Sequence, residues 1–243
     1  MIKVSNLAKK FGDVTAVDDI SFEAGKGEIF GLLGENGAGK TTTLRMLATM
    51  LRPASGSIVM GGFDTVREPE KVRARIGILF GGETGLYDRL TAAENIAYFG
   101  ELNDMDRGSI KARIDELSGI FSMQEYIHRR ASKLSKGMKQ KVAFARSIVH
   151  NPDIMLFDEP TSGLDVSAVR DVHDFILKCR SEGKTVVFSS HSMPEVERLC
   201  DRIAVIHKGR LAGAGTLEEF RARFGSGNLE EIFLKLVGGG NEN

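Results

Sequence analysis

The stretch that most constrains the fold of this chain is the run GENGAGKT at residues 34–41. It matches the pattern G-x-x-x-x-G-K-[ST], in which two glycines, a lysine and a hydroxyl residue stand at fixed offsets around a phosphate chain. The apolar run EIFGLL at residues 28–33 precedes it and is typical of a buried strand, and residues 42–50 carry apolar side chains at helical spacing. A strand, a glycine-rich loop and a helix in this order predict an α/β fold that binds a nucleotide.

The residue types of this loop suit the oxygens of a polyphosphate. The glycines let the backbone turn tightly so that several N–H groups converge on one anion, and the following helix adds the positive end of its dipole. Lys40 would reach the β- and γ-phosphates, and the Thr41 hydroxyl is placed to ligate Mg²⁺. A glycine-rich turn that matches by accident is the alternative, and the flanking strand and helix disfavour it. The residues predicted to contact the nucleotide here are Gly34, Asn36, Gly37, Ala38, Gly39, Lys40, Thr41 and Thr42.

Two more polar positions follow apolar strands. The run IMLF at residues 154–157 leads directly into Asp158 and Glu159, and carboxylates at the carboxyl end of a buried strand lie where ligands bind in open α/β sheets. We expect Asp158 to hold Mg²⁺ and Glu159 to act as a general base on an attacking water. A solvated turn or a helix cap is the alternative for this pair. His191 follows another strand, and although a lone histidine is more often structural, its position favours a contact with the γ-phosphate.

A second helix end and one aromatic side chain are further candidates. The run LSKGMKQ at residues 134–140 opens a predicted helix, in which Ser135 suits the N-cap and Gly137 permits close backbone approach, so this end could accept an anion. Without the phosphate loop it would be merely a capped helix. Phe11 lies in a predicted turn between N-terminal strands and could stack on an adenine ring. An ordinary core phenylalanine is an equal alternative on the pattern alone.

Composition limits the partners. Lys plus Arg and Asp plus Glu each number 33 in the 243 residues, so the formal charge is zero, and no nucleic-acid partner is expected because such proteins normally carry a basic excess. Cys179 and Cys200 lack metal-ligand or redox spacing, which together with the absence of a signal peptide predicts a reducing cytoplasm. No apolar run approaches the roughly 20 residues that span a bilayer. Any membrane role would therefore come through a partner.

These motifs, in this order, resemble those of the ATP-binding cassette (ABC) ATPases over essentially the whole chain. The alternation of strands and helices and the resemblance together predict an α/β fold of the P-loop NTPase type, with a mixed sheet core, an N-terminal antiparallel β part and a helical insert. Within one ABC ATPase domain we expect a nucleotide-binding core at residues 1–82 and 150–215, a mainly helical signature subdomain at 83–149, and a C-terminal helical tail at 216–243.

The resemblance also implies how the chain would work with ATP and Mg²⁺. In this family a homodimer sandwiches two ATP molecules, and each would contact the phosphate loop of one subunit and the Ser135 and Gly137 signature of the other. Phe11 resembles the aromatic residue that stacks on adenine. Other family roles would fall on Glu159 as the catalytic glutamate, His191 as the switch histidine and Asp165, in the run SGLD at 162–165, as the aspartate that couples the subunits.

Within the family, residues 81–91 and the run LEEIFL at 229–234 resemble the ATPase subunits of bacterial exporters, of the sodium-extruding two-component type or the drug-export type. This implies an ATP-hydrolysing subunit that lies in the cytoplasm, peripheral on the inner face of the cell membrane, and powers an integral membrane permease. The permease would dock on the helical insert, at residues 83–146, because this part is not needed to hold the nucleotide.

The sequence departs from the family pattern at two places. The run FGGE at residues 80–83 stands where the family usually has a glutamine that ligates Mg²⁺, so either Glu83 substitutes for it or the ligand is missing. In the signature, Lys136 and Met138 replace a glycine and a glutamine, which bears on coupling and turnover rate.

Two other functions compete with the exporter. A soluble cassette ATPase that remodels nucleic acid or ribosomes would usually carry two cassettes or a long coiled-coil insertion, and this sequence has neither. A regulatory module that binds ATP but hardly hydrolyses it is disfavoured by the Asp158 and Glu159 pair and by His191.

Overall fold

The computed structural model describes residues 1–80 and 85–238, and within them ten strands form two sheets. The smaller sheet is antiparallel and contains β1 (Ile2–Phe11), β2 (Val14–Ala24), β4 (Ser55–Met60) and β5 (Phe63–Asp64), in the spatial order β2-β1-β4-β5. The larger sheet contains β3 (Ile29–Leu33), β6 (Ile76–Leu79), β7 (Ile154–Asp158), β8 (Thr185–Ser190), β9 (Arg202–His207) and β10 (Arg210–Thr216), in the order β10-β9-β3-β8-β7-β6. Its strands are parallel except β10, which confirms the predicted mixed sheet.

Side-chain caps fix where several of the helices begin. Thr91 and Thr216 each form a reciprocal capping box with a glutamate three residues on, while Asp106, Ser135 and Asp165 each accept one backbone N–H. The helices are α1 (Lys40–Leu47), α2 (Pro69–Arg73), α3 (Ala92–Leu102), α4 (Arg107–Ile120), α5 (Lys136–Ser147), α6 (Val166–Ser181), α7 (Met193–Leu199), α8 (Leu217–Phe224) and α9 (Leu229–Gly238).

The central strands are apolar without alternation because both faces of the larger sheet are covered. Along β7, Met155 and Phe157 pack into one hydrophobic cluster, whereas Ile154 and Leu156 pack into the other. Such strands read as continuous apolar runs. The carboxyl ends of β3, β7 and β8 meet at one edge of the sheet, because the three are parallel and hydrogen-bonded in the order β3-β8-β7. The phosphate loop, the acidic pair and His191 all lie where these three strands end, at this edge of the sheet.

A cluster of aromatic side chains anchors α5 to the rest of the molecule. Phe144 of α5 lies with its ring centroid 5.2 Å from Phe121, 4.7 Å from Phe157 of β7 and 5.6 Å from Phe175 of α6. An ion pair of 3.0 Å between Lys141 and an aspartate of α6 adds a polar contact. The helix that begins at the signature is thereby fixed against the larger sheet and α6.

The N-terminal strands are longer than predicted. The alternating pattern of the N-terminal sequence predicts strands at residues 2–4, 14–17 and 20–23 and a turn at 9–13. In the structure β1 and β2 are continuous, and their turn is confined to Gly12 and Asp13. Asn6 and Asp19 have φ of +48° and +54° in these strands, and the register shifts beside them interrupt the period of two on which the prediction depended. As a result, Phe11 is the last residue of β1 rather than part of a loop.

Other elements also differ from the sequence prediction. Met50, predicted on the apolar face of α1, lies beyond its end at Leu47 and is 60% exposed. The sequence analysis missed β5 and β10, and Thr216 ends β10 rather than opening the helical tail. Glu83 lies outside the residues that the structure describes.

Both cysteines are buried and form no disulfide. Burial raises the pKa of Cys179 to about 12 and that of Cys200 well above its usual range, so both behave as apolar side chains. In residues 1–80 and 85–238, no helix combines the length and the apolar character required to cross a membrane.

Candidate functional site

Close approaches of neighbouring backbone explain two glycines of the phosphate loop. A Cβ on Gly34 would lie 2.3 Å from the carbonyl oxygen of Ile206 in β9, and one on Gly39 would lie 2.6 Å from the carbonyl oxygen of Ala16 in β2. Gly39 also has φ of +109°, and Gly37 has φ of +79°, a region that residues with side chains rarely adopt. Larger side chains at positions 34 and 39 would therefore displace strands of both sheets.

The loop encloses a cavity of about 130 Å³ at the N-terminus of α1. Backbone N–H groups at such a helix end are suited to phosphate oxygens. Every residue predicted from the loop lines the cavity except Gly34, whose carbonyl oxygen accepts a hydrogen bond from Lys40. The lining consists of Ala16, Glu35, Asn36, Gly37, Ala38, Gly39, Lys40, Thr41, Thr42 and Glu159.

Lys40 is buried at the base of this cavity. Its Nζ donates to the carbonyl oxygens of Gly34 at 2.7 Å and Glu35 at 3.0 Å, and lies 3.9 Å from the Glu159 carboxylate. Burial lowers the pKa of Lys40, while the carboxylates of Glu159 and Asp158 oppose that effect. The ammonium group is thus fixed by the loop itself, close to where a phosphate chain would lie.

Asp158 is held by two hydroxyl groups from different elements. Thr41, in the first turn of α1, donates to Oδ2 at 2.8 Å, and Ser189 of β8 donates to Oδ1 at 2.5 Å. Sequence reasoning missed Ser189, although a serine at the end of an otherwise apolar strand was the available signal.

The oxygens around Asp158 fit a small hard cation. Mg²⁺ in nucleotide sites takes one or two protein oxygens and completes its shell with water and phosphate. A carboxylate and a hydroxyl in contact supply that donor set. Across the described ranges, no group of three or more His, Cys, Asp or Glu side chains is arranged to hold a metal ion, so Mg²⁺ bound here would take its other ligands from the nucleotide and water.

The Glu159 carboxylate lies close to two other predicted site residues, His191 and Lys40. Its Oε1 lies 3.2 Å from Nδ1 of His191 and 3.9 Å from Nζ of Lys40. Its backbone has φ of +48°, and its N–H donates to Ser189 at both the carbonyl oxygen (3.2 Å) and the hydroxyl oxygen (3.0 Å). Non-glycine residues in this conformation carry strain and cluster at functional sites. The predicted base therefore has a fixed position above the loop.

Besides Gly34, Asp158 and His191, four predicted residues do not line the cavity in the loop. Ser135 accepts the Met138 N–H at 3.2 Å and caps α5, and Asp165 accepts the Ala168 N–H at 2.9 Å and caps α6. A Cβ on Gly137 would meet no atom within 4 Å, and Phe11 is 48% exposed.

Comparisons with known proteins agree with this arrangement. The profile of a family described as ABC transporter matches residues 17–162. The chain is 51% identical to the ABC transporter ATP-binding protein NatA of Bacillus subtilis strain 168, over 98% of this chain and 99% of that protein. It is 35% identical to the daunorubicin resistance ATP-binding protein DrrA3 of Streptomyces coeruleorubidus, over 95% of this chain and 73% of that protein.

Solved structures share the fold over nearly the whole chain. The ATP-binding subunit of an ABC transporter superimposes with a TM-score of 0.91 at 27% identity, covering 97% of this chain and 99% of the other. A dimeric ATP-binding cassette in a post-hydrolysis state, bound to ADP and Pi, gives a TM-score of 0.82 at 26% identity, covering 89% of this chain and 98% of the other.

Proposed function

Because the chain belongs to the ABC transporter family, we propose that it is the ATP-hydrolysing subunit of an exporter and that it powers a separate membrane-spanning permease. The observation that carries this proposal is the convergence of Lys40 and His191 on one carboxylate oxygen of Glu159, beside the phosphate loop. A module that only bound ATP would have no need of a base held in a strained backbone at that point. The names of the relatives, a resistance protein among them, favour export.

In this proposal the residues of one chain divide the work of hydrolysis. The loop N–H groups and Lys40 bind the phosphates, and Glu159 accepts a proton from the water that attacks the γ-phosphorus, giving ADP and inorganic phosphate. His191 orients Glu159 and contacts the γ-phosphate. Thr41 and Asp158 would hold Mg²⁺, which would supply positive charge against the negative charge that develops on the phosphate oxygens.

The remaining site residues act across a dimer interface in this proposal. Ser135 and Gly137 lie at the N-terminus of α5, where open space around Gly137 leaves room for an approaching phosphate. Asp165 precedes Val166, an apolar residue that is 83% exposed in the single chain. A second copy would cover Val166, and ATP bound to the loop of one subunit would contact Ser135 and Gly137 of the other.

The permease would dock on residues 83–146 of the helical insert, which form most of the proposed signature subdomain at 83–149. Tyr87, Tyr98 and Leu102 are exposed by 49%, 38% and 59%, and the two tyrosine rings lie edge to face at 5.3 Å. Aromatic side chains are enriched in protein interfaces. Next to this surface lies a groove of about 450 Å³ between α2 and the turn after α3, lined in part by Leu102 and Met105.

A dimerisation experiment tests the hydrolytic part of the proposal. With ATP and Mg²⁺, the Glu159→Gln variant should bind nucleotide without hydrolysing it and should elute as a dimer in size-exclusion chromatography. The matched control combines Glu159→Gln with Lys40→Ala, which should remain monomeric because ATP does not bind. A Glu159→Gln protein that binds ATP but stays monomeric would contradict the sandwich arrangement.

A second experiment tests the partner. Tagged Glu159→Gln protein is purified from gently solubilised native membranes with and without ATP. The proposal expects one multi-span membrane protein in stoichiometric amount, and expects a Tyr98→Asp, Leu102→Asp double variant to lose it while keeping ATP binding. Recovery with ribosomes or nucleic acid instead would favour a soluble remodelling ATPase.

A further inference from the structure

A buried carboxylate joins segments that are distant in sequence. Glu195 of α7 is 6% exposed. Its Oε1 accepts the Thr161 hydroxyl at 2.8 Å and lies 3.0 Å from Nε2 of His173 in α6, and its Oε2 accepts the Ser190 hydroxyl at 2.6 Å. A carboxylate with three such partners is well compensated for its burial.

Two of these partners, Thr161 and Ser190, lie close in sequence to the hydrolytic residues Glu159 and His191. Thr161 lies two residues after Glu159. Ser190 precedes His191 and accepts the Ser192 N–H at 3.0 Å, so its hydroxyl oxygen also fixes the turn that follows β8. Glu195 therefore bridges the segment after Glu159 and the end of β8, in addition to the contact of 3.2 Å between Glu159 and His191.

The Thr161 segment also continues to the predicted dimer surface. The carbonyl oxygen of Glu159 accepts the Ser162 N–H at 3.1 Å, and that of Thr161 accepts the Leu164 N–H at 3.2 Å. These turns lead to Asp165 at the start of α6. A shift of Thr161 would therefore move both Glu159 and the residue proposed to couple the subunits.

We propose that Glu195 is a positioning residue for ATP hydrolysis, whose carboxylate holds the loop of Glu159 and the loop of His191 in a fixed relation. This inference rests on the proposed function. The left-handed backbone of Glu159 makes such a restraint necessary, because a strained conformation persists only when its surroundings over-determine it. The Thr161 and Ser190 hydroxyls each donate a charge-assisted hydrogen bond to the Glu195 carboxylate, and these two bonds supply that restraint.

The competing explanation is that Glu195 only anchors α7 to its neighbours. The three partners separate the two explanations, because Thr161 and Ser190 lead to hydrolytic residues whereas His173 lies in the middle of α6. If Glu195 is only an anchor, removing any of its three partners should reduce the stability of the fold and leave turnover alike in all three variants. If Glu195 is a positioning residue, turnover should fall only when the Thr161 or Ser190 hydroxyl is removed.

The test compares Thr161→Val, Ser190→Ala and His173→Asn in the full chain, measuring kcat, KM for ATP with Mg²⁺, and thermal unfolding. We expect Thr161→Val and Ser190→Ala, the two loop variants, to lose about tenfold in kcat while KM stays within about twofold. This result corresponds to the loss of an interaction that is made only in the transition state. His173→Asn should lower the unfolding temperature and leave kcat within about twofold. Thr161→Ser, which keeps the hydroxyl, should restore the rate.

The inference is overturned if the loop variants keep the rate of the unmodified protein, if all three variants lose rate equally, or if KM rises with no change in kcat. Should neither loop variant fold, Glu195→Asp decides, because it withdraws the carboxylate while keeping its charge: reduced kcat with constant KM supports positioning, and unchanged kcat refutes it. An unmodified protein that hydrolyses no ATP would refute the proposed function itself, which is a separate outcome.

Discussion

The hydroxyl group of Thr41 donates a hydrogen bond of 2.8 Å to the carboxylate of Asp158, so the two side chains proposed to hold Mg²⁺ contact each other directly. One belongs to the helix after the phosphate loop and the other to the end of β7. The cation would replace this hydrogen bond with two oxygen ligands. The spacing of the pair therefore suits two oxygens that share one cation.

Removal of the Thr41 hydroxyl should weaken the binding of Mg²⁺ more than the binding of ATP. In Thr41→Val we expect the Mg²⁺ concentration at half-maximal ATP hydrolysis to rise about tenfold, the equivalent of about 1.4 kcal/mol, because one oxygen ligand is lost. Titration of the ATPase rate with Mg²⁺ at saturating ATP measures this. Thr43→Val is the matched control, since the Thr43 hydroxyl donates to the Gly39 carbonyl oxygen instead; an equal shift in both variants would contradict the assignment.

Phe11 should contribute to the binding of the base and not to that of the phosphates. Stacking of a base on an aromatic ring is worth about 1–3 kcal/mol, so Phe11→Ala should weaken ATP by about tenfold or more and leave the affinity for inorganic triphosphate unchanged. Calorimetry with both ligands gives the comparison. Val14→Ala, which changes the residue opposite Phe11 in the hairpin, should alter neither affinity. Equal losses for the two ligands in Phe11→Ala would place the ring outside the base site.

Mixing two inactive variants tests whether the site is shared between subunits. Lys40→Ala should lose ATP binding at its own loop, and Ser135→Arg should block the nucleotide held by its partner. Each alone should be inactive, and a mixture should recover part of the activity, because mixed dimers keep one site with both an intact loop and an intact Ser135.

The control for this mixture is Ser109→Arg, an exposed serine in the first turn of α4, which should be active without mixing. Absence of rescue at every mixing ratio would count against shared sites, unless the two sites must act together. Rescue that depends on total protein concentration would identify association of the chains as the step that restores activity.

The ionisation of Glu195 should appear in the pH dependence of stability. Burial alone would raise its pKa, but the hydrogen bonds with His173, Ser190 and Thr161 outweigh burial and lower the pKa below 4.5. A carboxyl group that binds protons less readily when folded stabilises the protein above its unfolded pKa, and this stabilisation is lost as the pH falls through the folded pKa. Glu195→Gln should therefore unfold at a lower temperature than the unmodified protein at neutral pH, with a difference that shrinks below pH 4.5.

Thermal unfolding of both proteins between neutral and acidic pH measures this difference. Glu197→Gln is the control on the same helix, because Glu197 is exposed and pairs with Arg221 at 3.2 Å. It should show only a small difference at any pH. A difference for Glu195→Gln that stays constant with pH would mean that its charge does not stabilise the fold.

Local patterns predicted the parts of the site that depend on neighbours in sequence. The phosphate loop, the strand that ends at Asp158 and the Ser135 cap each follow from a few consecutive residues, because the buried strand and the capped helix have a fixed period and fixed end signals. The order of these motifs along the chain was enough to predict the class of fold.

Contacts between distant segments could not be predicted in this way. The Ser189 hydroxyl of β8 reaches Asp158 on the neighbouring strand β7, and Glu195 has partners after Glu159, at the end of β8 and in α6, so neither set of contacts leaves a periodic signal. The bulges at Asn6 and Asp19 hid the continuity of β1 and β2 for a similar reason, since an extra residue shifts the apolar face.

The N-terminal sheet and the phosphate loop share a chain of backbone hydrogen bonds. The Asp18 N–H donates to Gly209, and the Gly209 N–H donates to Ala38 within the loop. A ligand that binds only the native loop raises the free energy of opening the loop. It therefore also stabilises the backbone hydrogen bonds that must break when the loop opens. ATP should therefore slow hydrogen exchange at the amides of Asp18 and Gly209, although neither residue lines the cavity. The local stability of the hairpin of β1 and β2 would then depend on whether nucleotide is bound.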